Sequence, residues 1–144
     1  MKTVLKAMLL VGITTAAFAH SGVKDPDVKA RMHLMGQIGT ATGVLGNMAR
    51  GTLDYNAEAA SQAREALIKG GNAIAAAFQT EAHDPKTEAR PAIWENWPDF
   101  VAKAAVLEDA ARAMDPGSLV GVRTGMGAIG KSCGGCHEDY RVKK

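Results

Sequence analysis

The chain has 144 residues, of which 47% are hydrophobic and 5% aromatic, and it carries 17 basic and 15 acidic residues. This length suits one globular domain. The near balance of charge, without a basic stripe, argues against a nucleic-acid-binding protein.

The first nineteen residues have the order of a secretory signal peptide. A cationic start, MKTVLK, precedes the apolar stretch AMLLVGITTAA and a small-x-small cleavage site at residues 17–19. The apolar stretch is too short to span a bilayer core of about 30 Å. We therefore predict a signal peptide at 1–19 and a mature periplasmic domain at 20–144 that does not span a membrane. Loss of Lys2 and Lys6 leaves 15 basic residues against 15 acidic ones.

The mature chain has helical apolar spacing and no long alternation of apolar and polar residues. Caps and breakers predict four helices, from Asp25-Pro26 to Gly51, from just after Asp54 or Asn56 to about Gln79, from about Pro98 to Ala113 or Met114, and from about Ser118 to Val142. Gly70-Gly71 weakens the middle of the second helix, and Asp84-Pro85 is typical of a turn in the loop that follows. Four such helices with mostly short connections predict an all-α, antiparallel up-down-up-down four-helix bundle.

The sequence KSCGGCHEDYR near the end of the chain contains both cysteines, Cys133 and Cys136, followed at once by His137. A CxxCH sequence is typical of covalent haem attachment, in which two thioethers anchor the haem and the histidine is the proximal iron ligand. The bulk of a haem would also compensate for the six glycines of the fourth helix. A structural zinc site would need about four ligands, and a thioredoxin-like dithiol would need a strand before the helix. The haem interpretation is therefore favoured.

The motif CxxCHxxYR at 133–141, preceded by four helices, resembles the class II c-type cytochromes, the cytochrome c prime family. Further marks are the pair Arg31 and Met35 and the pattern of Ile93, Trp94, Asn96 and Phe100. The resemblance implies a bundle with one covalently bound haem c and iron.

Helix geometry identifies candidates for the other axial side of the iron. In an antiparallel bundle the first and fourth helices are neighbours, and the level of His137 matches residues 32–35. Met35 is the favoured sixth ligand, Met32 is the second choice, His33 should point to solvent, and Met48 should lie in the core. In this family methionine from the same region either ligates iron or packs unligated over a five-coordinate iron, and both alternatives stay open.

Other side chains are candidates for the haem surroundings. Arg31 and Arg141 each lie one turn from a predicted haem-facing residue and would pair with a propionate or lie solvated on the surface. Trp94 and Phe100, together with Tyr140 and Trp97, are predicted as walls of the haem pocket or of the core, and the sequence does not decide which of them contact the haem.

The sequence predicts a periplasmic monohaem electron carrier that exchanges electrons with redox partner proteins, and not an enzyme. The alternative is a five-coordinate cytochrome that binds or sequesters nitric oxide, with carbon monoxide as a related ligand. A homodimer is a further open alternative.

Overall fold

The structure, a computed structural model, describes residues 22–143, so the predicted signal peptide lies outside the described residues. Within this range the chain forms five helices: α1 (Pro26–Arg50), α2 (Ala57–Phe78), α3 (Ala92–Glu95), α4 (Trp97–Ala113) and α5 (Leu119–Tyr140). None of these helices combines the length and apolar character that crossing a membrane requires. The predicted all-α fold is confirmed, and the short α3 is an addition to it.

The four long helices form a closed bundle. Each packs against the next along the chain, α1 on α2, α2 on α4 and α4 on α5, and α5 packs back on α1. Leu45, Met48, Leu67 and Ile129 are among the most completely buried side chains in the centre. The prediction that Met48 is a core residue is confirmed.

Local capping by a side chain determines where three of the four long helices, α1, α2 and α5, begin. The Asp25 carboxylate accepts hydrogen bonds from the backbone N–H groups of Asp27 and Val28, both at 2.9 Å, and Asn56 and Ser118 cap α2 and α5 in the same way. α1 ends at Arg50 and is capped by Gly51, whose φ of 76° is in the left-handed region that favours glycine. The predicted starts of these helices are therefore correct.

The predicted weakness at Gly70-Gly71 does not break α2, which runs continuously to Phe78. A Cβ at Gly70 would lie 2.6 Å from Cγ1 of Ile38, and one at Gly71 would lie 3.1 Å from the backbone nitrogen of Glu108. The two glycines thus let α1 and α4 approach α2 closely, and the packing gained offsets their low helix propensity.

Residues 87–90, which we call the strap, pair with the end of α5. The backbone N–H of Arg90 donates to the carbonyl of Tyr140 at 3.0 Å, and that of Val142 donates to the carbonyl of Glu88 at 2.8 Å. Ala89 and Arg141 form the one isolated β-bridge in the described chain. The strap therefore fixes the residues that directly follow the CxxCH motif.

Candidate functional site

A cavity of about 670 Å³ opens between α1 and α5 and also reaches α4 and the strap. Its volume lies in the range of cofactor sites, roughly 300–1,000 Å³. The lining residues on α1 are Val28, Arg31, Met32, Met35, Gly36, Ile38, Gly39, Thr42, Gly43, Gly46 and Arg50, and those on α5 are Met126, Ser132, Cys133, Cys136, His137 and Tyr140. The cavity thus brings together the CxxCH residues and both candidate methionines.

The two cysteines lie within α5, are half-buried and line this cavity. Burial raises the pKa of both the Cys133 and the Cys136 thiol. Thiols that act in disulfide exchange have a lowered pKa and ionise readily. These surroundings therefore disfavour the dithiol alternative. Within residues 22–143 no three His, Cys, Asp or Glu side chains are grouped as ligands of a metal ion.

His137 lies at the mouth of the same cavity and is exposed. Surrounding protein atoms nevertheless displace enough water to lower its pKa, and the positive charge of Arg141 lowers it further. The neutral imidazole is therefore favoured, and a neutral imidazole has a nitrogen lone pair free to bind iron.

Met32 and Met35 are both half-buried and line the cavity from α1. His33, by contrast, is exposed, as helical phase predicted. Gly36 and Gly39 stand beside the methionines, and a Cβ at either position would meet nothing within 4 Å. The structure therefore leaves open space beside these two glycines and does not separate Met32 from Met35 as the residue near the iron.

Arg31 is 3% exposed, so the interpretation of this residue as a solvated surface arginine is wrong. Its Nε donates to the carbonyl of Ala77 at 3.0 Å and its Nη2 donates to the carbonyl of Thr80. Its Nη1 is buried without a hydrogen-bond partner. A buried donor of this kind normally has an acceptor, because leaving it unpaired costs about 1–3 kcal/mol.

The guanidinium of Arg31 is also enclosed by aromatic rings. Its central carbon lies 5.0 Å from the ring centre of Phe78 and 5.3 Å from that of Trp94. Burial lowers the pKa of Arg31, and the charges of Asp27 and Asp25 oppose that shift. Arginine stays protonated at such sites, so this wall of the cavity holds a desolvated positive charge.

Arg141 differs from Arg31 in its surroundings. It is exposed, and its Nε and Nη2 bind the Glu88 carboxylate at 2.7 and 2.6 Å. Thr87, Glu88 and Ala89 of the strap line the cavity together with Lys103 of α4. The strap residues have no recognisable signal in the sequence, because only the pairing of the strap with α5 brings them to the cavity.

Two of the four candidate aromatic walls reach the cavity. Phe100 and Tyr140 line it, with ring centres 5.3 Å apart, whereas Trp94 and Trp97 are not among the lining residues of the described chain. The Tyr140 hydroxyl donates to the Asp99 carboxylate at 2.5 Å. This bond raises the pKa of Tyr140 to about 12 and lowers the pKa of Asp99.

These features fit a haem attached through thioethers. The thiols and the imidazole of CxxCH line one wall, and the buried Nη1 of Arg31 lacks the acceptor that a carboxylate would provide. Gly36, Gly39 and Gly43 leave open space on the α1 wall. The sequence predicted that the haem would pack against the glycines of α5, and this is wrong. Gly121 and Gly125 pack against the connection from α4, and the other α5 glycines do not line the cavity.

Known proteins with similar sequences are cytochromes, in agreement with a haem site in this cavity. The family described as Cytochrome C' matches residues 27–141. A cytochrome c-556 of Agrobacterium fabrum is 35% identical over 147 residues, which cover 100% of this chain and 97% of that protein. A cytochrome c' of Cereibacter sphaeroides is 32% identical and is aligned over 100% of both chains.

Solved structures show the same architecture. Cytochrome c' from Rhodobacter sphaeroides matches with a TM-score of 0.75 at 26% identity, covering 82% of this chain and 96% of that one. Proteins of this family carry one covalently bound haem c with its iron, so the predicted cofactor is confirmed. The family is not an enzyme class. By its sequence over 27–141 and by its fold, the chain belongs to the cytochrome c' family of class II c-type cytochromes.

Proposed function

We propose that the protein is a periplasmic monohaem cytochrome that binds nitric oxide at an iron atom ligated by His137, with Met35 beside the gas-binding position. The observation that carries this proposal is the single cavity lined by CxxCH on α5 and by Met35 and open glycine positions on α1. Two similar structures are nitric oxide complexes of single-residue variants of cytochrome c prime from Alcaligenes xylosoxidans, with 28% and 27% identity and TM-scores of 0.71 and 0.73. They support gas binding over electron transfer alone.

Each residue of CxxCH has a chemical role in this proposal. Cys133 and Cys136 would hold the haem through two thioether bonds, and His137 would supply an imidazole nitrogen as a ligand to the iron. When bound, the haem supplies a one-electron redox couple and an iron atom that can coordinate a diatomic gas.

Arg31 is proposed to bind a haem propionate. Its Nη1 is a buried donor without a partner, and its other nitrogens are fixed by the carbonyls of Ala77 and Thr80. A carboxylate would satisfy that donor and balance the buried charge. Arg141 is engaged by Glu88, so we assign it the weaker role of a charge at the cavity mouth.

The second candidate function is electron transfer with the Met35 thioether as the sixth iron ligand. It is favoured by the half-buried Met35, which lines the cavity instead of packing fully into the core. Methionine ligation raises the reduction potential and gives a low-spin iron. In that case the protein would exchange electrons with periplasmic redox proteins and bind gas only after the thioether has been displaced.

Absorption spectra separate the two functions. Ferric and ferrous protein would be recorded alone, with carbon monoxide and with nitric oxide. The gas-binding function predicts a high-spin ferrous spectrum that shifts at once with either gas. A low-spin ferrous spectrum unchanged by carbon monoxide would contradict it and support methionine ligation.

Matched variants identify the residue near the iron. If Met35 is the sixth ligand, Met35→Ala converts a low-spin spectrum to a high-spin one and Met32→Ala does not. The reverse result would assign the ligand to Met32. If the iron is five-coordinate, both variants keep the high-spin spectrum, and Met35→Ala alone changes nitric oxide affinity.

The remaining assignments have separate tests. Haem that stays with the protein in acid-acetone supports thioether attachment, and the Cys133→Ala, Cys136→Ala double variant should release it. Cell fractionation tests periplasmic location, and mass spectrometry of the mature protein tests cleavage before His20. Analytical ultracentrifugation tests whether the protein is a monomer or a homodimer.

A further inference from the structure

We propose that Tyr140 is a redox-active residue, which returns one electron to the haem after the haem has reacted with hydrogen peroxide, while the phenolic proton passes to the carboxylate of Asp99. This role depends on the bound haem and not on nitric oxide binding. It would protect the haem against peroxide by moving the oxidising equivalent onto a side chain of the protein.

Tyr140 is the one readily oxidised aromatic residue that lines the cavity. The other two aromatic lining residues of the described chain, Phe78 and Phe100, have no group that can lose a proton. Tyr140 is 5% exposed, and its ring meets that of Phe100 edge to face at 5.3 Å. The chain has only one other tyrosine, Tyr55, which is not among the lining residues. An electron returned to the haem from the cavity wall would therefore come from Tyr140.

The Tyr140 hydroxyl is already bound to a base. It donates to the Asp99 carboxylate at 2.5 Å. A phenol that has lost an electron is a strong acid, so its proton moves along this bond even though the same bond lowers the pKa of Asp99. Asp99 is exposed and can exchange that proton with water. Tyr140 thus has an electron acceptor inside the cavity and a proton acceptor at the surface.

Lys103 favours loss of the proton together with the electron. Its ammonium lies 5.4 Å from the centre of the Tyr140 ring, and a positively charged ring beside this cation would be disfavoured in a buried site. Lys103 also binds Asp99 at 3.4 Å and binds Asp139. Once Asp99 is protonated, Asp139 still balances the charge of Lys103, and the tyrosine is left as a neutral radical.

The electrons and protons of the reaction balance. Hydrogen peroxide takes up two electrons from the haem and two protons from water, and it leaves as two water molecules. One of these electrons is replaced from Tyr140. The O–H bond of Tyr140 breaks, an O–H bond forms on Asp99, and a phenoxyl radical is left. A one-electron reductant in solution, such as ascorbate, restores the phenol as the proton returns from Asp99.

Freeze-quench electron paramagnetic resonance tests the source of the radical. Ferric haem-loaded protein would be mixed with hydrogen peroxide and frozen within milliseconds. We expect a tyrosyl signal in the wild type and in Tyr55→Phe, and none in Tyr140→Phe. Tyr55 is the matched control, because its hydroxyl donates to the carbonyl of Pro116 at 2.8 Å, and a backbone carbonyl does not take up the proton. Absence of the signal in the wild type, or its persistence in Tyr140→Phe, would overturn the proposal.

Asp99→Asn tests the proton acceptor. Asparagine keeps an oxygen that can accept the hydrogen bond but cannot hold the proton, so the radical should form about a hundredfold more slowly, at the low end of the effect of a positioned general base. Asp109→Asn is the control, because this exposed carboxylate lies on the same helix about 15 Å further along. Equal rates in the wild type and Asp99→Asn would refute proton transfer to Asp99. This variant keeps the Tyr140 phenol, so it decides the question even if Tyr140→Phe does not fold.

The outcomes are separate from those that test gas binding. A protein that binds nitric oxide but forms no tyrosyl radical would refute the role of Tyr140 and leave the proposed function intact. A protein that forms the radical at Tyr140 but does not bind nitric oxide would refute gas binding and leave the role of Tyr140 intact.

Discussion

The buried guanidinium of Arg31 provides the most direct test of the site. We expect Arg31→Met to destabilise the haem-loaded protein strongly, because methionine keeps much of the apolar stem and removes every hydrogen bond. The lost bonds are those to the carbonyls of Ala77 and Thr80 and, in the proposed function, the bond to a propionate. A surface arginine would have none of these contacts.

The size of the effect follows from those bonds. A hydrogen bond to a charged group contributes about 1.5–3 kcal/mol, and methionine recovers part of that loss through packing against Phe78 and Trp94. We expect a net loss of about 3 kcal/mol in the free energy of unfolding. With a urea m-value of about 1.5 kcal/mol/M, the midpoint should fall by about 2 M.

The assay is urea unfolding of the ferric protein, followed by circular dichroism and by the Soret band. Arg141→Met is the matched control, since it removes an exposed ion pair with Glu88 and should cost less than about 1 kcal/mol. Equal losses of stability in the Arg31 and Arg141 variants would show that the buried guanidinium stabilises the fold no more than an exposed ion pair does.

Three further substitutions test the packing and the polar contacts of the bundle. Gly70→Ala should destabilise by about 1–3 kcal/mol in thermal unfolding, because its Cβ would lie 2.6 Å from Cγ1 of Ile38. Gly127→Ala, at a helical site with nothing within 4 Å, should instead stabilise by about 0.5–1 kcal/mol, and equal effects would contradict the packing argument. Tyr140→Phe should lower the free energy of unfolding at neutral pH. In an acid titration, the difference in unfolding free energy between the variant and the wild type should shrink as Asp99 becomes protonated below about pH 4. The sign follows from the lowered pKa of Asp99, which stabilises the fold only while the carboxylate is ionised. Because the pKa of Tyr140 is raised, the contribution of its hydroxyl to folding stability is complete below pH 10 and is lost as pH rises through about 12. If the stability difference between Tyr140→Phe and the wild type does not depend on pH, the hydrogen bond between Tyr140 and Asp99 is not its source.

The four long helices could be predicted because their signals are local. Asp25, Asn56 and Ser118 each bind a backbone N–H within three residues of themselves, so the sequence around each cap is sufficient. The CxxCH motif is equally local, and both its cysteines and its histidine line the cavity that the fold forms.

Features that depend on distant contacts could not be predicted in this way. Arg31 is buried because carbonyls at Ala77 and Thr80, 46 and 49 residues away, accept its hydrogen bonds. From the helical pattern of the sequence alone, any arginine is expected to lie on the surface. The close packing at Gly70 similarly depends on Ile38 of another helix, so helix propensity alone could not show that α2 continues through the two glycines.

The strap has a consequence for the order in which the protein matures. It joins Glu88 to Arg141 across 53 residues of chain, and contacts between such distant residues form late in folding because the loop entropy must first be overcome. The thiols of Cys133 and Cys136 are half-buried within α5, just before the segment that the strap holds. We therefore expect haem to be attached while this end of the chain is still open, and docking of the strap to complete the holoprotein afterwards.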